Sequence, residues 1–158
     1  MNVPQMIQDY KTGGAKLRAA VVGMSREQLA AHPVPGKWST LEVLCHIADF
    51  EPIYADRMKR VIAEDQPLLL SGDPDKFQAR LAYANRDAAE ELALIDTVRS
   101  QMARILSTLG ERDFARTGKH SSDGPLSLAV LLERITGHIP HHVQFIAEKR
   151  AALGLPPA

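Results

Sequence analysis

The last helical segment of the chain reads LAVLLERITGHIPHHVQFI over residues 128–146. Its apolar residues recur in alternating steps of three and four, which is the spacing of a buried stripe on an α-helix. At about 100° per residue, His142 falls near the middle of that stripe and His138 lies beside it. His141 falls at the edge of the stripe and is the weaker ligand candidate. The segment therefore predicts a core-facing helix with two inward histidines one turn apart.

A third histidine occupies the same kind of position on an earlier segment. His46 shares one helical face with a run of apolar residues, namely Val43, Ile47, Phe50, Ile53, Tyr54 and Val61. Glu42 and Asp49 flank His46 one turn away on either side. A lone histidine on an apolar face is more often a satisfied core residue than a ligand, and sequence spacing alone does not place His46 near the other pair.

The histidine pair on the last segment predicts a metal site. Two buried imidazoles with no carboxylate between them are expensive to bury unless something binds their lone pairs. Three neutral imidazoles would leave a divalent ion with an open position, whereas structural zinc usually has four protein ligands. Such a site accepts Zn, Ni, Mn or Fe, so the sequence does not name the metal. Because ligating imidazoles must be neutral, an unperturbed histidine pKa of about 6.5 predicts metal-dependent stability that fades by about pH 5.

Helical signals dominate the rest of the chain. Ser39 and Glu42 form an S-x-x-E capping box that begins a long helix. Four long helices are predicted, over about residues 2–24, 40–63, 87–109 and 127–154, with shorter helical pieces at 25–32 and 75–84. Four such helices predict an all-α bundle in one domain spanning residues 1–158. The polar stretch 111–125 is predicted to be irregular, and His32 and His120 are interpreted as exposed loop residues.

Composition excludes several classes of protein. Lys plus Arg and Asp plus Glu number 19 each, so no global field attracts nucleic acid or an anionic membrane. No apolar run approaches the length of a membrane span and the start lacks a secretion signal, so a cytoplasmic protein is expected. The single cysteine, Cys45, cannot form an internal disulfide and is interpreted as a buried bystander.

Two separated motifs together resemble a known family. Gly36-Lys37-Trp38-Ser39 is followed by His46, and the run His138-x-x-His141-His142-x-Gln144 comes far downstream. This combination resembles the DinB-like, or YfiT-like, superfamily of metalloenzymes over most of the chain.

The resemblance implies a four-helix bundle with up-down-down-up connection and frequent homodimers. It also implies a divalent metal held by His46, His138 and His142, with His141 matching the adjacent histidine that usually does not bind. The superfamily includes enzymes that depend on low-molecular-weight thiols, which makes such a thiol a candidate cosubstrate. Pro140 departs from the pattern and predicts a kink at the site.

Two classes of function follow from these observations. The first is a metal-dependent enzyme acting on a small molecule, either a thiol S-transferase or a hydrolase. Asp49 would then be a general base or would hold a ligating histidine, and Arg57 would bind an anionic group unless it only snorkels at the bundle end. The second class is a non-catalytic metal-binding or stress-associated interaction module. A pocket that reaches the metal favours the enzyme, whereas a sealed site or a fourth protein ligand favours the module.

Overall fold

The computed structural model describes residues 2–158, in which four long helices form a bundle. The α-helices are α1 Val3–Val21, α2 Arg26–Ala30, α3 Thr40–Ala63, α4 Pro74–Arg80, α5 Ala88–Leu106 and α6 Leu128–Ala152. Three short strands are β1 Leu68–Leu69, β2 Thr117–His120 and β3 Gly124–Ser127, and 3₁₀ turns cover Tyr83–Asn85 and Glu111–Ala115. Within the described residues, no helix has the length and apolar character that a membrane crossing requires.

Side-chain caps set the starts of the helices that carry the histidines. The Ser39 side chain accepts from the Glu42 N–H at 3.1 Å, and the Glu42 carboxylate accepts from the Ser39 N–H at 2.7 Å. This reciprocal pair satisfies two backbone donors that the first turn leaves free. The Ser127 hydroxyl accepts from the Val130 N–H at 3.2 Å at the start of α6. Both helices therefore begin where the sequence predicts.

The strands fix the direction of the helices. β1 follows α3 directly and pairs in parallel with β2, which follows α5, so α3 and α5 end on the same side of the bundle. β3 pairs antiparallel with β2 and leads directly into α6, so α6 runs the other way. The start of α1 lines a groove with the end of α5, so α1 is antiparallel to α5. The connection is up-down-down-up, as predicted.

Close packing explains two glycines that weaken the helical signal of α1. In the bundle, α1 and α3 each pack against both α5 and α6. A Cβ atom at Gly13 would overlap the Arg99 guanidinium, and one at Gly14 would overlap the Asp96 carboxylate. Glycine at these positions therefore lets α1 approach α5 closely, at the expense of helix propensity.

A buried ion pair crosses the middle of the core. Arg99 and Glu51 are completely buried, and Arg99 donates from Nε to Glu51 Oε1 at 2.7 Å. Arg99 also donates to the carbonyls of Tyr10 at 2.8 Å and Ile135 at 3.0 Å. Because these residues lie on α1, α3, α5 and α6, one guanidinium connects all four long helices.

The segment 111–125 corrects the predicted irregular stretch and the predicted exposure of His120. It holds most of the β2–β3 hairpin, and His120 is only 7% exposed. The His120 Nδ1 faces the hairpin turn, where it accepts from the Asp123 N–H at 3.3 Å. Strands this short carry too little alternation to be recognised, which is why the sequence did not indicate them. His32 is exposed, as predicted.

Candidate metal centre

The two helices that carry the predicted ligands pack side by side and bring the three histidines together. The Nε2 atoms of His46 on α3 and His138 on α6 are 3.0 Å apart, and those of His138 and His142 are 3.1 Å apart. In all, one ligand atom from each ring lies within 4.8 Å of the others. α6 continues as one helix through Pro140, which lies between the two candidate ligands of that helix, His138 and His142.

The arrangement of ring nitrogens fits a divalent cation. Ligand nitrogens about 2.0–2.1 Å from one metal ion lie about 3.0–3.4 Å apart, close to the observed separations. The Nδ1 atoms of the three rings are buried and have no hydrogen-bond partner among the described residues. If each Nδ1 carries the proton, three lone pairs converge on one point and require a positive charge between them. If an Nε2 carries it instead, a buried Nδ1 lone pair is left unpaired.

Burial prepares the three rings for metal binding. It lowers the pKa of His46 to about 4, that of His138 to about 2 and that of His142 to about 3. Removal from water is the largest cause for each ring, because it disfavours the charged imidazolium. For His138 and His142, repulsion from neighbouring cationic groups adds to the effect. All three imidazoles are therefore neutral at physiological pH, which is the state that binds metals.

Aromatic side chains surround the histidines of the centre. Trp38 and Phe50 both pack against His46, with ring centroids 5.3 and 4.7 Å from it. Phe145 lies 5.9 Å from His142 on the same measure. A pocket of about 230 Å³ reaches His142 from the surface, and it is lined by Gly36, Lys37, Trp38, Val43, His142, Phe145, Glu148 and Lys149. Aromatic rings therefore border the centre, and the pocket reaches it at His142.

His141 lies outside this group. It is exposed, and its ring packs edge-on against Phe145 at a centroid distance of 4.9 Å. The three-histidine group does not include it. This placement agrees with its position at the edge of the predicted stripe.

The carboxylates predicted to assist the histidines are engaged elsewhere. Asp49 accepts two hydrogen bonds from Arg86, at 2.8 and 3.0 Å, and one from the Tyr83 hydroxyl at 2.8 Å. None of the hydrogen bonds of Asp49 in the described chain reaches a histidine of the centre. Glu42 accepts from Gln78 at 2.6 Å and contacts His32 at 2.9 Å, in addition to its capping role. The structure therefore does not place Asp49 as a base at the centre.

Arg57 also lies apart from the histidines. It is buried and donates from Nε and from a terminal nitrogen to the Leu70 carbonyl, at 3.1 and 2.5 Å. This contact holds the β1 segment against α3. The guanidinium is neither snorkelling into solvent nor directed at the centre, and the role predicted for it as an anion ligand has no support in its contacts.

Cys45 precedes His46 but points away from it. Its thiol is buried and donates to the Tyr83 carbonyl at 3.7 Å. Burial raises the pKa of the thiol to about 12. Because the thiolate is the reactive form, the native protein should react with Ellman's reagent far more slowly than the urea-unfolded protein, by at least about 100-fold. Equal rates would show that the thiol is accessible.

Sequence reasoning missed Lys149, the buried charged residue of the pocket. Lys149 is only 2% exposed and lines the pocket together with His142. It follows His142 by seven residues, which returns it to the same face of α6. That spacing is the signal that could have identified it.

Comparisons with known proteins decide the family. The model of the DinB superfamily matches residues 9–146. The chain belongs to this superfamily. The resemblance inferred from the two histidine motifs is thus confirmed.

The relatives are proteins of similar length named for a metal-dependent activity. A protein of Bacillus licheniformis named "Putative metal-dependent hydrolase" is 28% identical over 149 residues, which cover 94% of this chain and 85% of that protein. One of the same name from Oceanobacillus iheyensis is 28% identical over 130 residues, covering 82% and 75%.

A solved structure shares the fold. YfiT from Bacillus subtilis, described as "a probable metal-dependent hydrolase with an unusual four-helix bundle topology", superposes with a TM-score of 0.91 at 25% identity. The superposition covers 98% of this chain and 89% of YfiT. The predicted four-helix bundle is confirmed.

Proposed function

We propose that the protein is a metal-dependent hydrolase whose single divalent ion is held by His46, His138 and His142. The observation that carries the proposal is the convergence of three neutral imidazoles, one buried and two partly buried, from two helices on one point. The relatives named as metal-dependent hydrolases support the same reaction class.

The residues around the centre suit hydrolysis. A divalent ion with three imidazole ligands and an open position acts as a Lewis acid and lowers the pKa of a coordinated water toward neutrality. The three rings contribute no negative charge, so the full charge of the ion remains available. Trp38 and Phe145 hold bulk water away from the centre, and the pocket between them admits a small molecule.

Two features favour an enzyme over a non-catalytic module. The pocket beside His142 provides access for a substrate. Within residues 2–158, the ligand group comprises three histidines and no fourth histidine, cysteine or carboxylate. A structural site would instead be closed by a fourth protein ligand.

Metal content tests the ligand assignment. The purified protein should bind about one divalent ion per chain, and His138→Ala or His142→Ala should lower the affinity by at least about 100-fold, because each change removes a direct ligand. His141→Ala is the matched control on the same helix and should retain the metal. Elemental analysis after dialysis against zinc gives the stoichiometry. Full occupancy in the His138 and His142 variants would refute the centre.

Reaction class is tested separately with the metal-loaded protein. Hydrolysis of a series of 4-nitrophenyl esters should depend on added metal and disappear in His138→Ala. Conjugation of a low-molecular-weight thiol to an electrophile such as monobromobimane, measured in parallel, tests the thiol-dependent transfer that the family resemblance implies. Metal-dependent conjugation without ester hydrolysis would replace the hydrolase proposal by a transferase.

A further inference from the structure

Lys149 is a buried cation at the edge of the metal centre. Only 2% of the surface of Lys149 is exposed, and the residue lines the pocket that reaches His142. Its ammonium donates one hydrogen bond, to the Phe145 carbonyl at 3.2 Å, and lies 5.9 Å from the centroid of the Phe145 ring. An ammonium has three donors, so two of them have no partner in the described chain.

The other buried cations of the described chain are well compensated. Arg99 pairs with Glu51, and Arg57 donates twice to one carbonyl. Arg150 donates to the Val22 carbonyl, just after α1, and twice to the Pro156 carbonyl. Lys149 forms neither an ion pair nor several hydrogen bonds. A buried charge without compensation is costly, which points to a partner that comes from outside the chain.

The charged groups around Lys149 leave it available. Glu148 and Lys37 line the same pocket and are exposed at its rim. Glu148 and, to a smaller extent, Glu42 act favourably on the Lys149 charge, but neither forms an ion pair with it in the described chain. The Glu42 carboxylate is already held by Ser39, Gln78 and His32. Burial lowers the pKa of Lys149, and a bound anion would reverse this effect.

We propose that the Lys149 ammonium binds a carboxylate of the substrate. The apolar part of that substrate would lie between Trp38 and Phe145, and its reacting group would reach the histidines. A single buried ammonium compensates one negative charge, which matches a carboxylate better than a phosphate dianion. The proposal rests on the proposed function for its reaction, but the binding of a carboxylate can be measured without it.

Trp38 supplies the readout. It is the only tryptophan of the chain and lines the pocket, so its fluorescence reports binding there. The probes are 4-phenylbutyrate and its neutral isostere 4-phenylbutyramide, titrated into metal-loaded and metal-free protein. In the metal-free protein a carboxylate cannot bind to an ion, so any preference for the acid comes from the chain itself.

Wild-type protein should bind the acid at least tenfold more tightly than the amide in both states. Lys149→Met should reduce the affinity for the acid at least tenfold and leave that for the amide within about twofold. Lys149→Arg retains the charge, so its affinity for the acid should stay within about threefold of wild type. Lys11→Met, on the exposed face of α1, should have no effect on binding.

Unchanged acid affinity in Lys149→Met, or equal affinity of wild type for acid and amide, would overturn the proposal. Tighter binding of phenyl phosphate than of the acid would overturn the assignment to a carboxylate.

Stability separates this role from a structural one. A lysine kept for binding is costly to the fold, so Lys149→Met should melt at the same temperature as wild type or higher. A lower melting temperature together with unchanged binding would show that Lys149 serves the fold alone. If Lys149→Met does not fold, Lys149→Gln provides the same loss of charge. Should ester hydrolysis fail while the preference for the acid persists, only the proposed reaction is lost.

Discussion

Replacing Arg99 with Met should lower the free energy of unfolding by about 3–5 kcal/mol, because it removes one partner of a fully buried ion pair. Glu51 would be left without its cation in the core, and the carbonyls of Tyr10 and Ile135 would each lose a donor. Loss of the guanidinium would also leave a cavity where α1 approaches α5. Urea unfolding at neutral pH measures the change.

A surface pair provides the matched control. Arg18 and Asp96 also join α1 to α5, but their side chains are 46% and 42% exposed. Arg18→Met should therefore cost less than about 1 kcal/mol. Combining Arg99→Met with Glu51→Leu should restore at least half of the lost stability, because no unpaired charge then remains in the core. Equal costs for the two arginine variants would show that the buried pair does not hold the bundle together.

The parts of the fold that could be predicted are those that depend on local patterns. The capping box at Ser39 fixes the start of α3, and the stripe over residues 128–146 predicts α6. Local signals suffice there because caps and periodic burial act within a few turns of one helix.

The features that could not be predicted depend on contacts between distant segments. Gly13 and Gly14 look like defects in α1 until Arg99 and Asp96 are placed against them. β1 pairs with a strand far along the chain, and the burial of His120 follows from that sheet. No local pattern indicates these partners, because each is set by packing of the whole bundle.

The candidate site shows the same division. The stripes indicate that His46, His138 and His142 point inward, but only the packing of α3 against α6 brings their rings together. Sequence neighbours were a poor guide to the surrounding residues. Asp49 lies one turn from His46 and is nonetheless held by Arg86. Side chains three residues apart on a helix point in different directions, so Asp49 is not aimed at the centre.

The stability of the metal-free protein should depend strongly on pH. This dependence comes from the imidazoles themselves and not from a bound metal. An unfolded histidine has a pKa of about 6.5, whereas the folded values are about 4 for His46, about 2 for His138 and about 3 for His142. A group whose folded pKa is depressed contributes stability above its unfolded pKa and loses it as the pH falls. At pH 5 the unfolded chain binds protons that the folded chain excludes, so each ring should lower the stability of metal-free protein by up to about 2 kcal/mol.

The control for this effect removes one of the rings. His138→Leu in metal-free protein should reduce the loss between pH 7.5 and pH 5 by up to about 2 kcal/mol, because leucine binds no proton in either state. His32→Leu removes an exposed histidine instead and should change the loss far less. A loss as steep in His138→Leu as in wild type would assign the acid sensitivity to other groups.

The stabilisation that the metal provides should be lost at a lower pH than the pKa of an unperturbed histidine predicts. Because burial already keeps the folded rings neutral to about pH 4, the ion has no protons to displace at pH 5. The difference in melting temperature between zinc-loaded and metal-free protein should therefore persist from pH 7.5 to pH 5 and fade below about pH 4, even as both forms become less stable. Parallel melting curves at pH 7.5, 6, 5 and 3.5 give the comparison. A difference that vanishes by pH 5 would mean that the rings titrate near their ordinary pKa, and that burial does not hold them in the metal-binding state.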